Sequence, residues 1–348
     1  MKRVLKIIGF LILGLVILIA AVFFIYYYRN MHWYDKYEKA LSKVGAEEKQ
    51  VTLPSGNVIN YGEVANDKPA LLLIHGQMGQ WESYALTLEK LSENWHIYAV
   101  DVYGHGESSH DESLYYIDVN GDDLIWFIDN VIGQPTVVSG HSNGALTAAY
   151  IGAYGGKNVS GIIMEDPPVF STEEGEWEES FAYINTYKPL HDYLLSDKSE
   201  CYEAYSLRHG YFGDKYGGIP DLAEKYHKDH PGEVVKIGVL PSVAWSVNQY
   251  IPDYDLTYGE HFYDLTWNHG YTHKQILSDI HVPCIIIHEK ENVDANGVYL
   301  CATSDANAVK AVECLGDNGS LREVEASYHS FHSNHVDEFV DIVNSLQN

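Results

Sequence analysis

The chain has 348 residues, and its 49 acidic side chains against 22 basic ones give a formal net charge of -27. A chain of this length can form one large domain with an insertion, or two small domains. Its acidic field repels polyanions, so we expect no nucleic-acid partner. The four cysteines are too few for a disulfide framework, and we expect small buried residues, with a bridge between Cys301 and Cys314 as the alternative.

The first element is an uncharged apolar run over residues 7–28. Its length of about 22 residues is enough to cross a hydrocarbon core of roughly 30 Å as a helix. A cleaved signal peptide is the alternative, but its apolar part is usually shorter and ends at a small-residue site. We expect residues 1–30 to form an uncleaved, single-pass membrane anchor, with the remainder of the chain on the extracytoplasmic side.

The next elements indicate a stalk and then a layered domain. Residues 31–49 are charged, with apolar positions at helical spacing, which predicts a stalk helix. The turn Pro54-Ser55-Gly56-Asn57 separates two short strands, which predicts a hairpin. Apolar strand-like runs then alternate with helical patterns up to residue 166. This alternation predicts an α/β fold, in which a mostly parallel sheet carries helices on both faces.

The alternation stops over residues 167–280, which are rich in aromatic and acidic side chains and contain helical fragments. Strand-like runs resume within residues 281–348. We therefore predict one sheet, built from residues 50–166 and 281–348, interrupted by a helical cap. The aromatic side chains of this cap either line an acyl pocket or pack its helices together; they include Trp177, Phe181, Tyr211, Trp245 and Tyr250.

The segment Gly140-His141-Ser142-Asn143-Gly144 has the pattern G-x-S-x-G and lies between an apolar strand and a helix rich in small residues. A strand-to-helix turn this tight holds its central residue in a strained conformation, which is tolerated only when close neighbours lack bulk. Both glycines occupy the positions that such a turn requires. The pattern predicts Ser142 as a nucleophile.

A second loop follows the buried strand Leu72-Leu73-Ile74 and reads His75-Gly76-Gln77-Met78-Gly79. A tetrahedral oxyanion is stabilised by two backbone N–H groups aimed at it. A loop of this kind beside the serine turn can supply one of them. We predict the amides of Gln77 and Asn143 as the oxyanion donors.

Three motifs in this order, HGxxG at residues 75–79, DVYGHGES at 101–108 and GHSNG at 140–144, resemble the α/β-hydrolase family. The resemblance implies an eight-stranded, mostly parallel sheet with a cap inserted after the sixth strand. It also implies that His105 is structural, and that the order of the catalytic residues is nucleophile, acid, histidine. It places His329 as the general base; a metal cluster of His329, His332 and His335 is the alternative, and it lacks matching ligands.

The acid is the least constrained member of this arrangement. In the resembled family it follows the seventh strand, here within the segment from His288 to Asp294. We predict Asp294, with Glu291 as the first alternative. Asp166, at the end of the sixth strand, is the second alternative, a position that some relatives use.

A serine, histidine and acid with two amide donors favour hydrolysis of carboxylic esters through an acyl-enzyme, and no cofactor or metal is required. The expected substrate is a small-molecule or lipid ester, and residues 7–28 provide the contact with the membrane. A serine peptidase or amidase of the same fold is one alternative. A catalytically silent, membrane-tethered binding module is another.

Overall fold

The computed structural model describes residues 2–241, 249–325 and 329–347. Eight strands form one sheet in the order β1-β2-β4-β3-β5-β6-β7-β8. The six strands β3 to β8 run parallel to one another, and β2 pairs antiparallel with β1 and β4. The predicted hairpin and the predicted mostly parallel sheet are both confirmed. The bounds are β1 Glu47–Thr52, β2 Val58–Val64, β3 Ala70–Ile74, β4 His96–Val100, β5 Thr136–His141, β6 Val159–Glu165, β7 Cys284–Glu289 and β8 Gly319–Val324.

Helices cover both faces of this sheet, and the central strand β3 shows how the sequence achieves this. Because side chains alternate along a strand, Leu72 and Ile74 face one side while Leu71 and Leu73 face the other, and all four are buried. One side is covered by α4 (Ile117–Phe127), α5 (Asn143–Tyr154) and α12 (Asp305–Leu315). The other is covered by α3 (Ala85–Leu91), α13 (Phe331–Asn334) and α14 (Val336–Asn344).

The segment between β6 and β7 contains helices joined by turns, with no β-strand among its described residues. It packs around its own aromatic cluster, in which Phe262 stacks on Trp267 at 4.7 Å and on Tyr187 at 5.6 Å between ring centroids. Packing within the cap therefore accounts for much of its aromatic content; Trp245 lies outside the described residues. Its helices are α6 Lys188–Leu195, α7 Tyr202–His209, α8 Gly213–Tyr216, α9 Ile219–Asp229, α10 Leu256–Tyr263 and α11 His273–Ser278.

The chain begins with the helix α1 (Lys2–Met31), which is long and apolar enough to cross a membrane by length and composition. Its most apolar 18-residue stretch has a mean hydropathy of 3.2 and is not buried against the rest of the protein. Near its end, the Asn30 side-chain amide donates to the Gly238 carbonyl of the cap at 3.1 Å. The second helix, α2 (Asp35–Val44), follows and packs against α3.

All four cysteines are free, so the alternative of a bridge between Cys301 and Cys314 is wrong.

Candidate active site

Ser142 occupies the turn between β5 and α5 in a strained backbone conformation, with φ 54° and ψ -122°. A Cβ atom on Gly140 would lie 2.1 Å from the Gly144 carbonyl oxygen, and one on Gly144 would lie 2.3 Å from the His75 carbonyl oxygen. Side chains at either position would collide with backbone. The two glycines therefore permit a turn that raises the serine hydroxyl at the carboxyl edge of the sheet.

His329 connects this serine to an acid. The Ser142 hydroxyl lies 2.9 Å from His329 Nε2, a distance at which it donates a hydrogen bond to the ring. On the other side of the ring, His329 Nδ1 donates to Asp166 Oδ2. Serine, imidazole and carboxylate thus form one continuous hydrogen-bonded chain. The side chain of His329 is 43% exposed, so part of the ring is open to solvent while the rest packs against its neighbours, whereas Asp166 is buried.

The carboxylate of Asp166 is held where β6 leaves the sheet. The backbone N–H of Asp166 donates to the Ile287 carbonyl of β7 at 2.7 Å, and its φ of 41° turns the chain away towards the cap. The second carboxylate oxygen, Oδ1, is buried without a hydrogen-bond partner among the described residues. Burial of the His329 ring opposes its protonation, but the adjacent Asp166 carboxylate outweighs this and raises the pKa of His329 above its ordinary value of 6.5.

The predicted partnership of Asp294 with His329 is wrong in this structure. The carboxylate of Asp294 accepts a hydrogen bond from the Tyr211 hydroxyl of the cap, and its other oxygen accepts from the Asn296 amide at 2.8 Å. The loop after β7 folds back on itself, since the Leu300 amide donates to the Asn292 carbonyl at 2.7 Å. This hairpin carries Asp294 to the cap.

The alternative acid Glu291 is also engaged elsewhere. Its carboxylate accepts from the backbone N–H of Asp305, at the start of α12, at 3.2 Å. The acid that contacts His329 is therefore Asp166, the second alternative. The sequence signal for it was Asp166-Pro167-Pro168: proline cannot continue a strand ladder, so this carboxylate marks the point where β6 ends, beside β5.

The two amides predicted as oxyanion donors occupy the loop after β3 and the first position of α5. The backbone N–H groups of Gln77 and Asn143 hydrogen-bond to no other described residue. An unpaired amide at a helix N-terminus is suited to stabilise negative charge. Both amides are therefore available to a ligand, and Asn143 directly follows the serine.

Two buried histidines hold the loop of residues 75–79 against the loop of residues 101–108. The Val102 amide donates to His75 Nε2 at 3.1 Å, and the Met78 amide donates to His105 Nε2 at 3.2 Å. Burial lowers the pKa of His75 to about 4 and that of His105 well below its ordinary range, so both rings are neutral acceptors at physiological pH. His105 thus ties the loop of residues 101–108 to the loop that carries Gln77, and it does not contact Ser142.

The cap closes over these donors with two tyrosines that the sequence did not single out. The Asn143 side-chain amide donates to the Tyr258 hydroxyl at 3.0 Å. The Gln77 side-chain amide donates to the Tyr254 hydroxyl. Tyr258 belongs to α10, whereas Tyr254 lies just before that helix in an extended conformation. The available signal was two tyrosines close together in an aromatic stretch, and it indicated packing as readily as a site.

The three C-terminal histidines do not form a metal cluster. His332 Nδ1 instead lies 2.8 Å from a carboxylate oxygen of the buried Glu165. Among the described residues, the group of potential metal ligands with donor atoms within 4.8 Å of one another is Cys201, Glu203 and His227 in the cap. Burial, reinforced by neighbouring carboxylates, raises the pKa of the Cys201 thiol to about 12, so the cysteine is protonated.

Comparisons with known proteins agree with this architecture. A relative from Haemophilus influenzae, named as an esterase/lipase, is 31% identical over 98 residues, which cover 28% of this chain and 34% of that protein's length. The solved structure of a membrane phospholipase A, described as a bacterial virulence factor, superposes with a TM-score of 0.60 at 16% identity. That match covers 99% of this chain and 98% of the phospholipase chain.

An esterase from Rhodococcus sp. ECU1013 superposes with a TM-score of 0.58 at 18% identity, covering 86% of this chain and 99% of that one. At these identities, the two structures establish a shared fold. The sequence profile of the alpha/beta hydrolase family matches residues 71–342, most of the chain. The chain therefore belongs to the alpha/beta hydrolase family.

Proposed function

We propose that this protein is a membrane-anchored serine hydrolase that cleaves carboxylic esters through an acyl-enzyme on Ser142. The observation that carries the proposal is the hydrogen-bonded chain from the Ser142 hydroxyl through His329 to Asp166. A serine is a weak nucleophile unless a positioned base removes its proton, and the base in turn needs a group that fixes its tautomer. His329 and Asp166 occupy those two positions.

The reaction begins when His329 Nε2 takes the Ser142 proton and Ser142 Oγ attacks the ester carbonyl. Negative charge develops on the carbonyl oxygen, which the amides of Gln77 and Asn143 stabilise. The imidazolium, stabilised by Asp166, then gives its proton to the departing alcohol. Water activated by the same histidine attacks the acyl-enzyme, and this releases the carboxylic acid and restores Ser142.

The substrate class is an uncharged or weakly charged ester, including esters of membrane lipids. The net charge of -27 disfavours the approach of strongly anionic substrates. The apolar helix α1 would hold the enzyme at a bilayer, with its catalytic domain on the extracytoplasmic side. The names of the Haemophilus esterase/lipase and of the membrane phospholipase A support the same substrate class.

A fluorophosphonate probe tests the proposal, because it reacts covalently with activated serines. The full-length protein is purified in detergent, and labelling is compared among wild type, Ser142→Ala and His329→Ala. The exposed histidine of the nearby 101–110 segment provides the control His110→Ala. We expect labelling in wild type and in the control, and none in the two site variants.

Turnover then separates esters from amides. We expect hydrolysis of p-nitrophenyl esters, abolished by Ser142→Ala, with little activity on the matching anilides. A preference for anilides would replace the esterase assignment with an amidase or peptidase. A folded wild type that neither labels nor turns over any ester would contradict the proposal.

A further inference from the structure

The end of β6 carries two consecutive acids, and each of them binds a histidine of the same C-terminal turn. Asp166 contacts His329, as described above. Glu165, which is completely buried, accepts from the backbone N–H of His332 at 3.0 Å and from His332 Nδ1 at 2.8 Å. Two histidines three residues apart are therefore fastened to adjacent residues of one strand. The relative position of His329 and Asp166 depends on both attachments.

A third contact holds the backbone of His329 itself. His141 Nε2 donates to the His329 carbonyl at 2.7 Å. The His141 ring also lies 4.8 Å from the His329 ring and 5.2 Å from the His332 ring between centroids. His141 directly precedes Ser142. The end of β5 is therefore hydrogen-bonded to the turn that carries His329.

His329 needs such support because its own backbone is strained. Its φ of 58° lies in the left-handed region, which is unfavourable for a residue other than glycine. A strained residue keeps its conformation only when neighbouring contacts determine it. The bonds from His332 to Glu165 and from the His329 carbonyl to His141 are contacts of this kind.

The charge of Glu165 is the unusual part of this arrangement. A fully buried carboxylate is costly unless it is paired, and apolar residues often stabilise a core as well as a buried ion pair does. Burial would raise the pKa of Glu165, but the adjacent His332 and His141 outweigh it and lower that pKa to about 2. Glu165 is therefore ionised across the physiological range, at a position where an apolar residue would serve a purely structural purpose.

We propose that Glu165 is a positioning residue for the base: by binding His332, it fixes His329 against Asp166 and Ser142. This inference rests on the proposed function. Glu165 acts through His332 and does not touch the substrate. Its charge reaches His329 through a buried, poorly screened environment.

The groups that face His329 and Glu165 come from five parts of the chain. His329 faces Asp166 and Glu165 from β6, Glu289 from the end of β7 and His141 from β5. Glu165 in turn faces His332, His141 and the Tyr84 side chain. The carboxylates all raise the pKa of His329, so removal of any one charge should lower it.

The test compares Glu165→Gln, His332→Asn and His332→Leu with wild type in full-length, detergent-purified protein, using a p-nitrophenyl ester over a range of pH. Asparagine retains a side-chain donor for Glu165, whereas leucine does not. A control is available at the opposite edge of the sheet, where His96 Nε2 lies 2.6 Å from Glu63 Oε1 in a second mostly buried pair. Glu63→Gln disrupts that pair without touching the site.

We expect Glu165→Gln and His332→Leu to lower kcat by about 10- to 100-fold while KM changes less than about two-fold, because misplacement of a catalytic group by about 1 Å costs rate of that order. His332→Asn should recover part of this loss. The acidic limb of the kcat/KM profile should move to lower pH in Glu165→Gln, since the unprotonated base would persist to lower pH. Glu63→Gln should match wild type.

Retention of wild-type kcat and of the wild-type acidic limb in a folded Glu165→Gln protein would overturn the inference while leaving the proposed function intact. A loss of activity with an unmoved limb, accompanied by a lower melting temperature, would assign Glu165 a structural role and overturn it as well. If Glu165→Gln does not fold, equal kcat values for His332→Asn and His332→Leu would have the same meaning. An inactive, folded wild type would reject the proposed function first.

Discussion

The carboxyl ends of β6 and β7 lie side by side and both carry acids, yet they differ in what they do with them. At the end of β6, Asp166 is 1% exposed and its carboxylate contacts His329. Beyond β7, Asp294 is half-buried, belongs to a hairpin and contacts the cap at Tyr211. A carboxylate can orient an imidazole only when its own position is fixed. The carboxylate that is both held in place and in contact with His329 is Asp166, at the end of β6.

The comparison shows that the distance between strand ends identifies the acid where chain order does not, since Asp166 and Asp294 both lie between Ser142 and His329 in the sequence. β6 lies between β5, which carries Ser142, and β7. An acid at the end of β6 is therefore one strand closer to the nucleophile than an acid after β7. The β7 loop is then free to bind the cap.

The largest expected effect is that of Asp166→Asn. We predict a fall in kcat of about 10⁴-fold on a p-nitrophenyl ester, because asparagine does not hold the histidine in the required tautomer or stabilise the imidazolium. The matched variant Asp294→Asn should stay within about two-fold of wild type. Equal losses of kcat in the two variants would contradict the assignment of Asp166, and not Asp294, as the acid that acts on His329.

The second prediction concerns the turn that brings Ser142 to these strand ends. Gly144→Ala should lower the free energy of unfolding by about 3 kcal/mol, because the added methyl group has to displace the His75 backbone. The measurement is urea denaturation in detergent. Gly218→Ala is the control, since a Cβ there meets nothing within 4 Å, and it should be neutral. A neutral Gly144→Ala would show that the turn relaxes more readily than this geometry allows.

The third prediction concerns the effect of the Glu289 carboxylate, at the end of β7, on the pKa of His329. Asp166 raises the pKa of His329 by direct contact, and Glu289 adds a smaller effect of the same sign. A raised pKa means that the base is lost to protonation as pH falls through that value. Glu289→Gln should therefore move the acidic limb of kcat/KM to lower pH, by less than Asp166→Asn does. A shift of this limb to higher pH would contradict the statement that the Glu289 charge raises the pKa of His329.

The smallest effect is expected for Tyr211→Phe. This change removes the hydroxyl that binds Asp294 and should lower the free energy of unfolding only slightly, because a single hydrogen bond near solvent contributes little net stability. The value of kcat should stay within about two-fold. A large loss of activity would give the β7 hairpin a role in the chemistry.

Much of the site could be predicted because its motifs report local backbone geometry. The glycines at 140 and 144 and the loop at 75–79 specify turns whose shape follows from the sequence itself, and His329 followed from its resemblance to the family's final loop. The acid could not be fixed in this way. Which of Asp166, Glu291 and Asp294 meets His329 depends on how the β7 loop folds, and its hairpin is held by a contact with Tyr211, about 80 residues away in the chain.

The contacts of Tyr254 with Gln77 and of Tyr258 with Asn143 were missed for a related reason. Both tyrosines belong to an aromatic-rich cap in which packing residues and site residues look alike in sequence. Only their contacts across the fold distinguish them: Tyr254, just before α10, binds Gln77, and Tyr258 of α10 binds Asn143. By contrast, the sheet and the helices on its two faces followed from hydrophobic periodicity, which burial enforces locally.

The most direct test of the central claim is the rate of fluorophosphonate labelling of Ser142 in wild type, Asp166→Asn and Asp294→Asn, measured at one probe concentration in folded, detergent-purified protein. The hydrogen-bonded chain from Ser142 through His329 to Asp166 predicts rapid labelling of wild type and Asp294→Asn, and at least about 100-fold slower labelling of Asp166→Asn. Rapid labelling of Asp166→Asn together with slow labelling of Asp294→Asn would contradict it and return the acid to the β7 loop.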